Sequence, residues 1–194
     1  AAVHPQNEEM GTRKVAMTRE IWIERGDFME EPPRKFFRMR PGGEVRLRNA
    51  FIVKCTDVIK DDAGEVVELH CEFDPDSRTG MPGASRKVKG TIHWVSCEHA
   101  SEATVRLYDR QFTEANPGAV ADFREALNPN SLETVSARLE PSLADLPHAE
   151  AVQFERLGYF CRDSEDDRDN APVFNRVVTL RDSWAKLEKA ALGN

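Results

Sequence analysis

Several features are missing from this 194-residue chain, and each absence narrows what it can be. No apolar run approaches the roughly 18 residues of a membrane-spanning helix, so no membrane partner is expected. Cysteine is sparse: four residues, at 55, 71, 97 and 161, with no CxxC pair and irregular spacing. That argues against a zinc site, and no metal ligands are expected. Cys55, Cys71 and Cys161 each lie within apolar segments, so they read as buried, reduced thiols of a cytoplasmic protein. The opening residues, AAVHPQNEEMGTR, have neither a basic start nor an apolar stretch. They read as an exposed lead-in, or the start of a fragment, rather than a secretory signal. Positive charge is also in deficit, with 27 Lys and Arg against 34 Asp and Glu. A chain with net charge −7 does not attract polyanions by its overall field, so any nucleic-acid contact must come from local patches.

Catalytic signatures are missing as well. There is no GxSxG, HExxH, P-loop or GxGxxG. His70 and His93 sit in strand-like segments, where hydrogen-bonded structural roles suit them. Cys97 and His99 are two apart without a third orienting group, a poor arrangement for a nucleophile and its base. Asp74 and Asp76 lie in a turn-rich loop and read as turn caps. No catalytic residue is assigned.

What is present is alternation. EIWIE (20–24) puts Ile21 and Ile23 on one face, and VRLRNAFIVKC reads as one long strand reaching about Ile59. DDAG (61–64) is a turn into EVVELHCEF (65–73), which makes a hairpin. A polar loop, 74–85, precedes KVKGTIHWV (87–95), where Gly90 marks a bulge or close approach. ATVRLYD (103–109) turns Val105 and Leu107 inward. AVADFREAL (119–127) is the one convincing short helix. LETVSARLE (132–140), AVQFERLGYFC (151–161) and VFNRVVTLRD (173–182) complete about eight strands. SWAKLEKAALGN (183–194) reads as a terminal helix or a frayed tail. Hairpin spacing with little helix predicts an all-β fold, sandwich or barrel, with antiparallel pairing.

One segment stands apart from the acidic background. Residues 34–48, RKFFRMRPGGEVRLR, hold five arginines and one lysine against one glutamate, with Phe36 and Phe37 among them. Residues 163–169, DSEDDRD, lean the other way. On a strand Arg46 and Arg48 share a face, opposite Val45 and Leu47. A planar guanidinium can fork onto a base edge or stack on its face, and unpaired RNA bases expose both. The residues alone leave two readings open: a solvated charged face, or an RNA-reading surface.

The order of motifs along the chain adds a resemblance. HPQNEEMGTR, REIWIERGDFMEEP, GGEVRLRNAFIVKC, RKVKGTIHWVS, VRLYDRQF, NPNSL, EPSLADL, QFERLGYFCRDS and VFNRVVTLRDSW together resemble the C-terminal anticodon-binding region of glutaminyl-tRNA synthetases, bacterial type. Glutamyl-tRNA synthetases of eukaryotes and archaea share this architecture and are the nearest alternative. The resemblance implies two tandem antiparallel β-barrels, similar in fold to a ribosomal 5S-RNA-binding protein. The distal barrel would span 25–100, and the proximal one 1–24 plus 101–194. It also implies a role in recognising the anticodon loop of glutamine tRNA, so that a full class I enzyme can charge it. That enzyme would use ATP and magnesium in a catalytic domain upstream, and this segment alone would be inactive and need no cofactor. The partners implied are the tRNA and the enzyme's own catalytic domain, in a monomer.

Residue by residue, the resemblance places Arg46 and Arg48 near the first anticodon base and Arg38 at the third. Gln153 and Arg156 fall near the second and third. Lys35 stands where the family carries a glutamine, and Phe37 where it carries a lysine. A further family arginine for the second base belongs upstream of residue 1. Within this reading the two like charges of RLR are tolerated because an anticodon loop supplies the missing negative charge. A free-standing ribosomal-type RNA-binding protein, and a β-sandwich that meets an acidic protein, are the readings from other classes.

Overall fold

Alternating segments become strands here, and left-handed residues decide where they stop. The computed structural model describes residues 1–78, 80–148, 150–167 and 172–180. These form thirteen strands joined by short 3-10 turns, with no longer helix among the described residues. No helix among them is long and apolar enough to cross a membrane. The chain divides into two units at His99 and Ala100. Residues 1–24, which the resemblance attaches to the second barrel, are grouped by their contacts with the first unit.

The first unit holds β1 (Ala2–His4), β2 (Asn7–Thr12), β3 (Ile21–Trp22), β4 (Glu44–Leu47), β5 (Ile52–Lys60), β6 (Val66–Asp74), β7 (Thr91–Ile92) and β8 (Val95–Ser96). β1 and β2 form an exposed hairpin, and β3 pairs with β8. The main sheet runs β6-β5-β4-β7, antiparallel except for the parallel β4–β7 pair. Its core gathers Phe28, Met39, Val45, Leu47, Val53, Cys55, Ile92 and Trp94, with Ile21 and Ile23 packed against it. Apolar residues at every second position make this possible, because one sheet face is buried and the other wet.

The second unit holds β9 (Ser101–Tyr108), β10 (Leu132–Leu139), β11 (Ala151–Phe154), β12 (Gly158–Arg162) and β13 (Val173–Val178), in the order β10-β9-β13-β12-β11. β9 and β13 run parallel and the other pairs antiparallel. Ala103, Val105, Leu139, Phe160 and Phe174 form its core, with Leu107 beside them. Phe154 stacks on Phe160 at 4.2 Å between ring centroids.

The all-β class and the inward positions agree with the sequence, while five details differ. Neither sheet closes into a barrel among the described residues, and each includes one parallel pair. The long strand expected from 45 to 59 is broken: Asn49 adopts φ 58°, and β4 turns back antiparallel onto β5. AVQFERLGYFC breaks in the same way at Arg156, φ 63°, into the β11–β12 hairpin. The helix expected over 119–127 is two 3-10 turns, Pro117–Ala119 and Phe123–Ala126. Asp122 separates them, because its extended backbone and its carboxylate, which accepts from the Arg124 amide, close a local turn instead of a helix. The strand expected over 87–95 contracts to β7 and the start of β8. The segment 183–194 lies outside the described residues.

The cysteines divide. Cys55 is buried, Cys161 half-buried and Cys71 exposed, so the expectation of burial holds fully only for the first. β6 is an edge strand, which leaves Cys71 open to solvent on one side. Its thiol still lies against Cys55, its cross-strand partner, and 4.0 Å from the Met39 sulfur. Burial of the thiol, then the neighbouring Cys55, pushes its pKa up to about 12, so it stays protonated and unreactive at neutral pH.

Candidate nucleic-acid interface

Arg48 sits just past β4, in the turn that Asn49 closes. Its side chain is exposed while its backbone is fixed on both sides. The Arg48 amide donates to the Ile92 carbonyl at 3.0 Å, and its carbonyl accepts from the Trp94 indole at 3.0 Å. Trp94 itself is in the core, 4% exposed. An exposed arginine is thus mounted on a rigid base, which lowers the entropy lost when it captures a ligand.

Arg46 is placed differently. It is half-buried, and its guanidinium donates to three carbonyls: Ser77 at 2.7 Å, Ala84 at 3.2 Å and Arg86 at 2.9 Å. The strand expectation that Arg46 and Arg48 present parallel heads to solvent does not describe this pair, because the chain turns between them.

Arg38 donates to the Gly26 carbonyl at 2.7 Å and pairs with Asp27, Nε to Oδ1, at 3.4 Å. The Asp27 side chain is 2% exposed and that of Arg38 34%. The arginine therefore compensates a buried carboxylate while keeping part of its fork at the surface. It also lies 5.8 Å from the Phe36 ring centroid. Lys35 is exposed at φ 71°, and Phe37 is 49% exposed with the Lys89 ammonium 5.7 Å from its ring centroid.

Gly90 brings the segment of Lys35 and Phe37 to β4. Its amide plane packs so closely that a Cβ there would collide with the Phe37 carbonyl oxygen, and its own carbonyl accepts from the Arg46 amide. The close approach expected at Gly90 is borne out. One unit thus collects the segment 34–38, β4 and its turn, leaving Lys35, Phe37 and Arg48 outward.

In the second unit Gln153 is exposed on the edge strand β11, opposite Tyr159 on β12. Arg156 is exposed in the turn three residues on. Among the described residues the non-glycine positions with positive φ are Lys35, Asn49 and Arg156. Two are expected contact residues and the third adjoins Arg48, so local strain coincides with the expected contacts.

Sequence reasoning missed the residues that brace these groups. Ser77 is fully buried: its hydroxyl accepts from the Ile52 amide and donates to the Asp74 carbonyl. Arg86 bridges Glu44 at 2.8 Å and Asp74 at 3.1 Å, and the bond to Glu44 raises its pKa. A turn-capping role for Asp74 was legible, since it accepts from the Asp76 amide. The acidic run 163–169 is used internally in its described part: Arg106 pairs with Asp163 and Asp166, and Arg162 with Asp167. No group of three or more His, Cys, Asp or Glu that could hold a metal comes together among the described residues.

Exposed arginines on turns closed by left-handed residues, with an exposed phenylalanine among the basic residues 34–38, define a class of surface suited to unpaired nucleic acid. Two family models match, each described as the class I (E and Q) tRNA synthetase anticodon-binding domain, over residues 1–74 and 91–163. The chain belongs to this anticodon-binding family. Among curated proteins it is similar to the glutamine–tRNA ligase of Neisseria gonorrhoeae, 52% identical over 95% of this chain and 34% of that protein. The glutamine–tRNA ligase of Bordetella pertussis is 54% identical over 93% of this chain and 31% of its own length. That of Nitrosomonas europaea is 49% identical over 94% and 33%. The chain spans about a third of the length of the curated relatives it matches.

Proposed function

We propose that this chain is the anticodon-binding part of a glutamine–tRNA ligase and that it holds the unstacked anticodon loop of glutamine tRNA. The observation that carries the reading is Arg48: an exposed guanidinium on a turn whose backbone is bonded to the core, inside a family that binds anticodons. In the first unit Arg38, Lys35 and Arg46 contribute as well, and the second unit contributes Gln153 and Arg156. Gln153 offers a donor and an acceptor, as a uracil edge requires. Base identity is read because a mismatched base leaves buried donors unpaired, at a cost on the order of 1–3 kcal/mol.

The complete enzyme would join glutamine to its tRNA with ATP and magnesium held by another part of the protein. It would work in the cytoplasm as a monomer, and the region described here would supply recognition without chemistry. Titration of the intact protein with anticodon stem-loops for glutamine and glutamate codons tests the reading. Tighter binding of the glutamine stem-loop is expected. Equal affinity for the two would sink the glutamine assignment, and no binding to either would sink the anticodon role.

A further inference from the structure

Arg46 has spent three of its five N–H bonds inside the protein. Every acceptor is a carbonyl of the 77–86 segment, and each lies 31 to 40 residues away in sequence. That segment contains two 3-10 turns, the end of Pro75–Ser77 and all of Pro82–Ser85, so its backbone carbonyls cannot all be satisfied by a ladder. One planar fork collects three of them. Further fasteners hold the same loop: the buried Ser77 hydroxyl, and Arg86 clamped between Glu44 and Asp74. With its carbonyls turned in to Arg46, the loop keeps Arg78 and Lys87 exposed, and Lys89 follows beside Phe37.

We infer that Arg46 is a positioning residue: it shapes the 77–86 loop into a second RNA-contacting element, whose Arg78 and Lys87 bind backbone phosphates. The inference rests on the anticodon reading but assigns contacts to a loop outside the residues expected to make them. A guanidinium is needed at position 46 for its geometry. A lysine ammonium is a point donor on a flexible stem and cannot span three carbonyls in one plane.

The experiment uses the intact protein and a glutamine anticodon stem-loop, comparing wild type, Arg46→Ala, Arg46→Lys, and the loop double variant Arg78→Ala/Lys87→Ala. Both Arg46 variants should lose about tenfold in affinity, and trypsin should cut within 77–87 much faster in them. The loop double variant leaves the anchor intact; it should lose a similar factor and lower the slope of log affinity against log salt by about 2. Combining it with Arg46→Ala should add little further loss, since both act through one element. Wild-type affinity in Arg46→Lys would mean a simple charge contact, and would overturn the inference. So would multiplicative losses in the combined variant, or a loop double variant that binds like wild type. The last result decides even if Arg46→Ala does not fold. Failure of the wild type to bind any anticodon stem-loop would instead remove the underlying reading, so the two failures are distinguishable.

Discussion

Trp94 does two jobs with one ring. Its apolar faces fill the first core, and its N–H holds the Arg48 carbonyl. Trp94→Ala should cost about 3–5 kcal/mol in urea unfolding, because it leaves a large cavity. Trp94→Phe retains most of the packing and leaves one carbonyl unpaired, so a cost of about 1–3 kcal/mol is expected in the same measurement. Asp163 gives a residue-scale test in pH. The amides of Asp166 and Glu165 and the Asn175 side chain donate to it, and Arg106 lies close by. Led by the Asp166 amide, these hold its carboxyl down at about 2, against an ordinary 3.8. A depressed carboxyl stabilises the fold above its unfolded value, and that contribution disappears as pH falls from about 4 toward about 2. The melting temperature of the wild type should therefore fall more steeply across this window than that of Asp163→Asn. Parallel curves would mean that Asp163 is not the group responsible.

At the scale of elements, turns matter more than strands. β4 and β5 would continue as one extended segment if Asn49 did not enter the left-handed region, and Arg48 would then leave its anchor on Trp94. Asparagine tolerates that conformation, whereas a β-branched side chain does not. Asn49→Val should cost about 1–2 kcal/mol in urea unfolding. It should also weaken stem-loop binding, since Arg48 rides on the turn. Asn49→Gly should retain both within a few tenths of a kcal/mol, because glycine enters the left-handed region freely and loses chiefly conformational entropy. If the valine variant matches wild type in both assays, the turn is not what holds Arg48 in place.

For the whole molecule the question is how a chain of net charge −7 would hold the RNA proposed for it. The basic groups are concentrated in 34–48 and the loop that follows β6, while much of the acidic run at 163–167 is paired within the fold. Local phosphate contacts release counterions whatever the total charge. Stem-loop affinity should thus fall linearly on a log–log plot against salt. A flat response would point instead to binding without phosphate contacts.

Polarity patterning was enough to read the class of fold, the inward faces at Ile21, Ile23, Val105 and Leu107, the turn at 61–64, the cap at Asp74 and the crowding at Gly90. The order of motifs was enough to read the family. These are legible because side-chain alternation, turn chemistry and motif spacing are properties of neighbouring residues. The breaks at Asn49 and Arg156 were not, since a hairpin preserves the same alternation on both sides of its turn and a left-handed φ leaves no mark in polarity. Nor was the difference between Arg46 and Arg48. Two arginines, two residues apart, look equivalent in sequence, and only the packing of a loop more than 30 residues away gives one of them three carbonyls and leaves the other at the surface. Which donors are consumed inside a protein depends on long-range closure of the chain, and that is decided by tertiary structure alone.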